Sequence, residues 1–190
     1  IMAYSKSYKN KPPYCRWYDN LCETRKHIEE RCDEIERKYI EKQQANDADR
    51  EKEYMKSEEL GMIFDQHGDI SLDIIRDRNQ ELISLISEMK SCVEKILREI
   101  LREYQFEEPK GSFISSSIEI LEQKKEINMS FLNQEKLSIN LLNKERNDYE
   151  HELDSLLYDK TVEHILKCVD DCCLFMENFI QKIYESDYKS

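Results

Sequence analysis

Only three glycines and three prolines punctuate this chain of 190 residues. They fall at Pro12, Pro13, Gly61, Gly68, Pro109 and Gly111, and nothing beyond Gly111 breaks the backbone again. Sheets need frequent turns, and turns draw on Gly and Pro. A chain this poor in both, with 37% charged residues, is built from long helices. The expected fold is all-α: an elongated antiparallel bundle of three to four long helices with coiled-coil character. The chain reads as one helical module. A flexible basic arm spans 1–12, helices span 13–58, 72–104, 114–158 and 161–186, and loops span 59–71 and 105–113.

The spacing of apolar residues supports each helix. The first starts at the Pro12–Pro13 pair, since proline loses no hydrogen bond in a first turn. Its apolar face runs Tyr14, Trp17, Leu21, Ile28 and Ile35, flanked by Tyr18, Cys32 and Tyr39. After Ile40 the sequence turns polar, giving either a solvated helical overhang or a disordered run. Ser71 is a fitting N-cap for the second helix. There Ile75, Leu82, Leu85, Ile86, Met89, Cys92, Val93, Ile96 and Ile100 share a half-circle. That face is too wide for a two-stranded seam and calls for several neighbours.

The third segment keeps a seven-residue repeat. One row is Ile118, Lys125, Leu132, Ile139, Arg146 and Leu153; the other is Leu121, Asn128, Glu135, Leu142, Tyr149 and Leu156. This resembles a coiled-coil seam with polar interruptions, which set register and partner choice. The last helix has its own frame, Leu166, Val169, Cys173, Met176, Ile180 and Ile183. A tight turn is expected around Leu156–Thr161.

Short connections imply an up-down-up-down order. In that order Cys32 and Cys92 are expected at similar heights. Cys15 and Cys22 are expected at the opposite end from Cys168, Cys172 and Cys173.

Charge and motifs narrow the function. A net charge of −12 opposes nucleic-acid binding, which wants a surplus of Lys and Arg. No apolar run is long enough for a transmembrane helix. There is no P-loop, no dinucleotide fingerprint, no nucleophile elbow and no HExxH, so no catalytic residues, cofactor or metal ligands are assigned and the chain is read as non-enzymatic. His164, Cys168 and Cys172 stand at i, i+4 and i+8, but about 12 Å of helical rise separates the ends. The wheel turns Cys172 and Cys173 inward, leaves Cys168 at the margin and puts His164 in water. Packing is the favoured reading of this cluster.

Pro12–His27, "PPYCRWYDNLCETRKH", resembles the P-x-Y-x-R-W-aromatic…C-x-x-R-K segment of Duffy-binding-like domains, the helical adhesins of malaria parasites. It departs from that family in a shorter Trp-to-Cys gap, a missing second Trp and a missing later cysteine ladder. The resemblance covers less than a tenth of the chain. It implies a secreted or surface-displayed, disulfide-containing receptor-binder. The other reading, which leads here, is a protein–protein interaction or scaffold module acting through exposed helix faces. Its expected partner is another protein, helical in kind, and a second copy of the chain is admitted. Tyr14, Trp17 and Tyr18 are the expected anchors where that face is free, the other reading being that they cap the bundle core, with Lys125, Asn128, Glu135 and Arg146 on the seam. The odd number of cysteines, seven, leaves at least one thiol unpaired in a monomer and favours a cytoplasmic location.

Overall fold

The computed structural model describes residues 13–59, 72–139, 142 and 162–187. The arm, the 60–71 loop with Ser71, and the segment carrying Arg146 and the expected turn near Leu156–Thr161 lie outside the described residues. The described chain is all-α. Helix α1 spans Pro13–Glu59, α2 Leu72–Glu103 and α3 Phe113–Lys124. A 3-10 turn at Ser130–Leu132 leads into α4, described over 133–139, and α5 spans Val162–Asp187.

The core is one cluster formed by the predicted apolar faces. Helix α1 contributes Trp17, Leu21, Ile28, Cys32 and Ile35, all at most 2% exposed. Helix α2 adds Ile83, Leu97 and Leu101 to its predicted stripe, so its buried arc is wider still. It touches α1, α5 and α3. Helix α5 inserts Ile165, Val169, Cys172, Cys173, Phe175, Met176, Phe179, Ile180 and Ile183. At about 25 cal/mol per Å² of apolar surface removed from water, this burial dominates the favourable side of folding.

Ion pairs record the order of the legs. Lys42 meets Asp77 at 3.2 Å and Arg31 meets Glu81 at 3.4 Å, so α1 and α2 are antiparallel. Arg25 reaches Asp170 at 2.8 Å, and the Tyr14 ring lies 4.4 Å from that of Tyr184, so α1 and α5 are antiparallel too. Lys125 pairs with Asp187, and Ser138 donates to Asp171, so the chain from 125 to 138 runs against α5. Being solvent-exposed, these pairs mark register more than they stabilise.

The expected cysteine heights are corrected. Cys92 donates to the Asn20 carbonyl at 3.8 Å and not to the level of Cys32, which is next to the Arg31–Glu81 pair. Cys22 lies near Glu177 and thus shares the end of the bundle with Cys173, near Arg25. The reason is unequal length. Helix α5, at 26 residues, is little more than half of α1 at 47, and it lies along the first half only. The rest of α1, to Glu59, is helical with no buried residue from Glu41 onward among those described.

The expected single helix over 114–158 is also corrected. Helix α3 stops at Lys124, and Glu126 takes a left-handed conformation with φ 54. The Ile127 amide donates to the Glu122 carbonyl at 2.9 Å, closing a Schellman motif, and Ile127 packs on the core. The Asn128 side chain then accepts from the Ser130 amide at 2.8 Å and starts a new turn. Helix α2 ends the same way: Gln105 has φ 57 and the Phe106 amide donates to the Leu101 carbonyl at 2.8 Å. Glycine is the usual residue at such positions, so its absence hid the break. The seven-residue repeat therefore does not run along one continuous helix. Its apolar members Ile118, Leu121, Leu132, Ile139 and Leu142 are buried in the common core.

A non-glycine residue in the left-handed region costs about 1–2 kcal/mol. Glu126→Gly should therefore stabilise the fold by about 1 kcal/mol, raising the thermal midpoint by about 2–4 °C. Glu119→Gly, on the exposed mid-helix face of α3, should lower stability by about 1 kcal/mol. Thermal and denaturant unfolding of the two variants side by side checks the assignment of the break.

Candidate functional site

Helices α1 and α5 cross the first half of the bundle side by side and leave a groove between them. Tyr14, Cys15, Tyr18, Asp19 and Cys22 face it from α1. Glu177, Asn178, Ile180, Gln181 and Tyr184 face it from α5. The i, i+4, i+8 spacing of Tyr14, Tyr18 and Cys22 places them in one row along α1. The groove holds about 630 Å³. Tyr18 is 45% exposed and so presents much of its ring to water.

Two carboxylates and no basic side chain line the groove. Glu177 makes no ion pair among the described residues, and its charge dominates locally. It pushes the Tyr18 hydroxyl above its ordinary pKa, with burial and Cys22 adding to the shift. Burial comes first for the Cys22 thiol, then Glu177, and both raise it. Neither group is activated: the thiol is kept from the thiolate form that a nucleophile needs.

Trp17 is on the inner side of α1. At 2% exposure it is core, which is the core-capping reading of this aromatic face. Its bulk and apolar neighbours are what drew it inward. Together with Tyr14, Tyr104 and Tyr184 it lines a second, smaller cavity at the end of the bundle, about 250 Å³ in volume. Glu103, Asp187, Pro13 and Ile183 complete its walls. The indole N–H is buried and has no acceptor among the described residues.

The four polar seam residues are not brought together as a helix face. Lys125 sits in the break, its ammonium 2.6 Å from Asp187 and 3.3 Å from the centre of the Tyr104 ring. The Tyr104 hydroxyl donates to the other Asp187 oxygen, and burial followed by that bond raises its pKa. Asn128 is exposed and lines a polar cleft with Lys124 and Lys182. Glu135 is on α4, where its charge raises the pKa of Lys167 as a small addition to the hydrogen bond that Lys167 donates to Asp171. Arg146 lies outside the described residues. Ile118, Leu121, Ile139 and Leu142 are buried within one chain, and Tyr149, Leu153 and Leu156 of the same rows lie outside the described residues.

Sequence reasoning missed Glu103, Tyr104, Tyr184 and Asp187. Tyr104 directly follows α2 and Tyr184 is the last aromatic of α5, but only the parallel register of α2 and α5 sets them together. Among the described residues no helix is long and apolar enough to cross a membrane, and no group of three His, Cys, Asp or Glu side chains is placed to hold a metal ion.

All seven cysteines are unbridged. As the wheel implies, Cys172 and Cys173 are buried, Cys168 is half-buried and His164 is exposed. Comparison with protein-family models, with curated proteins and with solved structures returns no match. The Duffy-binding-like resemblance therefore stays a short local pattern.

Burial, then Asp33 and Glu36, pushes the Cys32 thiol up to about 11. Burial first, with Glu177 adding and Arg25 opposing, pushes Cys173 up to about 12. Both ordinarily titrate at 9.0. Above pH 9 the unfolded chain releases these protons while the native chain keeps them. Stability is thus whole below pH 9 and falls as pH rises toward 11 and 12. Denaturant midpoints taken across this range should fall, and Cys32→Ala should flatten the part of the slope between 9 and 11.

Proposed function

We propose that the chain is a non-enzymatic interaction module that docks a helix of a partner protein into the groove between α1 and α5. The single observation that carries this reading is the groove of about 630 Å³ between α1 and α5, with the exposed Tyr18 on one wall and the packed Tyr14–Tyr184 pair at one end. A groove of this kind receives side chains spaced i, i+4 and i+7 on an amphipathic helix. Aromatic residues are over-represented where binding energy concentrates. Tyr14 and Tyr18 serve as the anchors, without Trp17.

Charge selects the partner. Asp19 and Glu177 face the groove without a basic residue among its walls, and the whole chain carries −12. A partner helix with Lys or Arg flanking its apolar stripe is steered in and paired, while an acidic one is repelled. Seven unbridged cysteines support a reducing, cytoplasmic setting for the module.

The probe is a synthetic amphipathic helix with a leucine–phenylalanine stripe and lysine flanks, followed by fluorescence anisotropy. Tyr18→Ala should weaken its binding at least about tenfold, the scale of a hot-spot truncation. Glu177→Gln should weaken it less and should reduce its salt dependence. Equal binding of the same peptide with glutamate flanks, or indifference to Tyr18→Ala, would refute the groove as the docking site.

A further inference from the structure

The cavity at the end of the bundle has a composition unlike the groove beside it. Four aromatic rings, Tyr14, Trp17, Tyr104 and Tyr184, and two carboxylates, Glu103 and Asp187, supply most of its lining. Aromatic faces carry negative potential, and a cation set against several of them is attracted by each. The protein already uses this chemistry at one of these rings: the Lys125 ammonium is 3.3 Å from the centre of the Tyr104 ring. Lys125 is not part of the cavity wall.

The charge balance leaves room for another cation. Asp187 accepts from Tyr104 and pairs with Lys125, so its charge is largely answered. Glu103 makes no ion pair among the described residues, although Arg16 and Arg102 share an adjoining cleft with it, and no basic side chain lines the cavity itself. The buried Trp17 N–H is a further unmet group there, a donor with no acceptor among the described residues.

We infer that this cavity is a binding site for an alkylammonium head group, a methylated amine borne either on a small molecule or on a lysine side chain. Its volume of about 250 Å³ is below that of a site for a drug-sized ligand and suits a head group. A compact metal cation would have to shed tightly held water for contacts with rings. A methylated ammonium is weakly hydrated, and its methyl groups pack on the same faces that attract its charge. The site shares Tyr14 and Tyr184 with the groove, but Glu103 and Tyr104 line the cavity and not the groove, and Tyr18 the groove and not the cavity.

The chain has one tryptophan, and it lines the cavity, so its fluorescence reports occupancy directly. The full chain is titrated with tetramethylammonium, with choline, and with 3,3-dimethylbutanol, the uncharged carbon counterpart of choline. Saturable shifts with both cations and none with the alcohol are expected. Tyr184→Leu should weaken cation binding about tenfold, the scale of a desolvated cation–π contact. Glu103→Gln, a conservative change, should weaken it several-fold with the helical circular dichroism spectrum unchanged. Titration with a trimethyllysine peptide against its unmethylated form tells a peptide-borne head group from a free one, and saturation by either supports the site. Equal binding of the uncharged alcohol would make the cavity a plain apolar hole and overturn the inference. So would the lack of a saturable response to any of the cationic probes, or Glu103→Gln and Tyr184→Leu variants that are folded and bind the cations as the parent does.

Discussion

The breadth of the α2 apolar face governs this structure. A helix with a narrow stripe is satisfied by one partner, but the buried residues of α2, from Leu82 to Leu101, cover more than one side. Water must be excluded from all of that surface, so α1, α5 and α3 are each drawn against it. The other helices are placed by this demand. Trp17, Leu21 and Ile28 close one flank, Phe175, Phe179 and Met176 another, and Ile118 and Leu121 a third.

Helix lengths then decide where a surface is left over. Helix α5 is short, and its last turns meet the first turns of α1 and the last turn of α2. Three helix termini converge at one end, and the aromatic residues near them cannot all be buried by neighbours. Tyr14 and Tyr184 are shared between the α1–α5 groove and the end cavity. The two sites proposed for recognition are therefore consequences of one mismatch in length. At the far end, α1 continues beyond α2 as a polar helix whose described side chains are none of them buried.

The helical faces were legible because periodicity reports burial directly. The predicted stripe of α2 is buried from Leu82 to Ile100, and the inward Cys172 and Cys173 are where the wheel puts them. The break at Lys125–Leu132 was not legible. Glu126 and Gln105 occupy left-handed positions without being glycine, and the repeat continues across the break in sequence while the helix does not. Polar residues that looked like seam interruptions, Lys125 and Asn128, are instead parts of a turn. Of the aromatic face with two readings, Trp17 caps the core and Tyr18 beside it stays exposed.

What the sequence by itself determined is the all-α class, the three long helices close to their observed limits, and the faces they bury. These follow from local rules, the 3.6-residue period and the scarcity of breakers, which need no knowledge of neighbours. Tertiary structure alone decided the register between helices, hence which cysteines share a level and which aromatics enclose a cavity. Tyr104 and Tyr184 are far apart in the chain and carry no mark of each other. They line one cavity because α2 and α5, each burying its own stripe against α1, come to end at the same height.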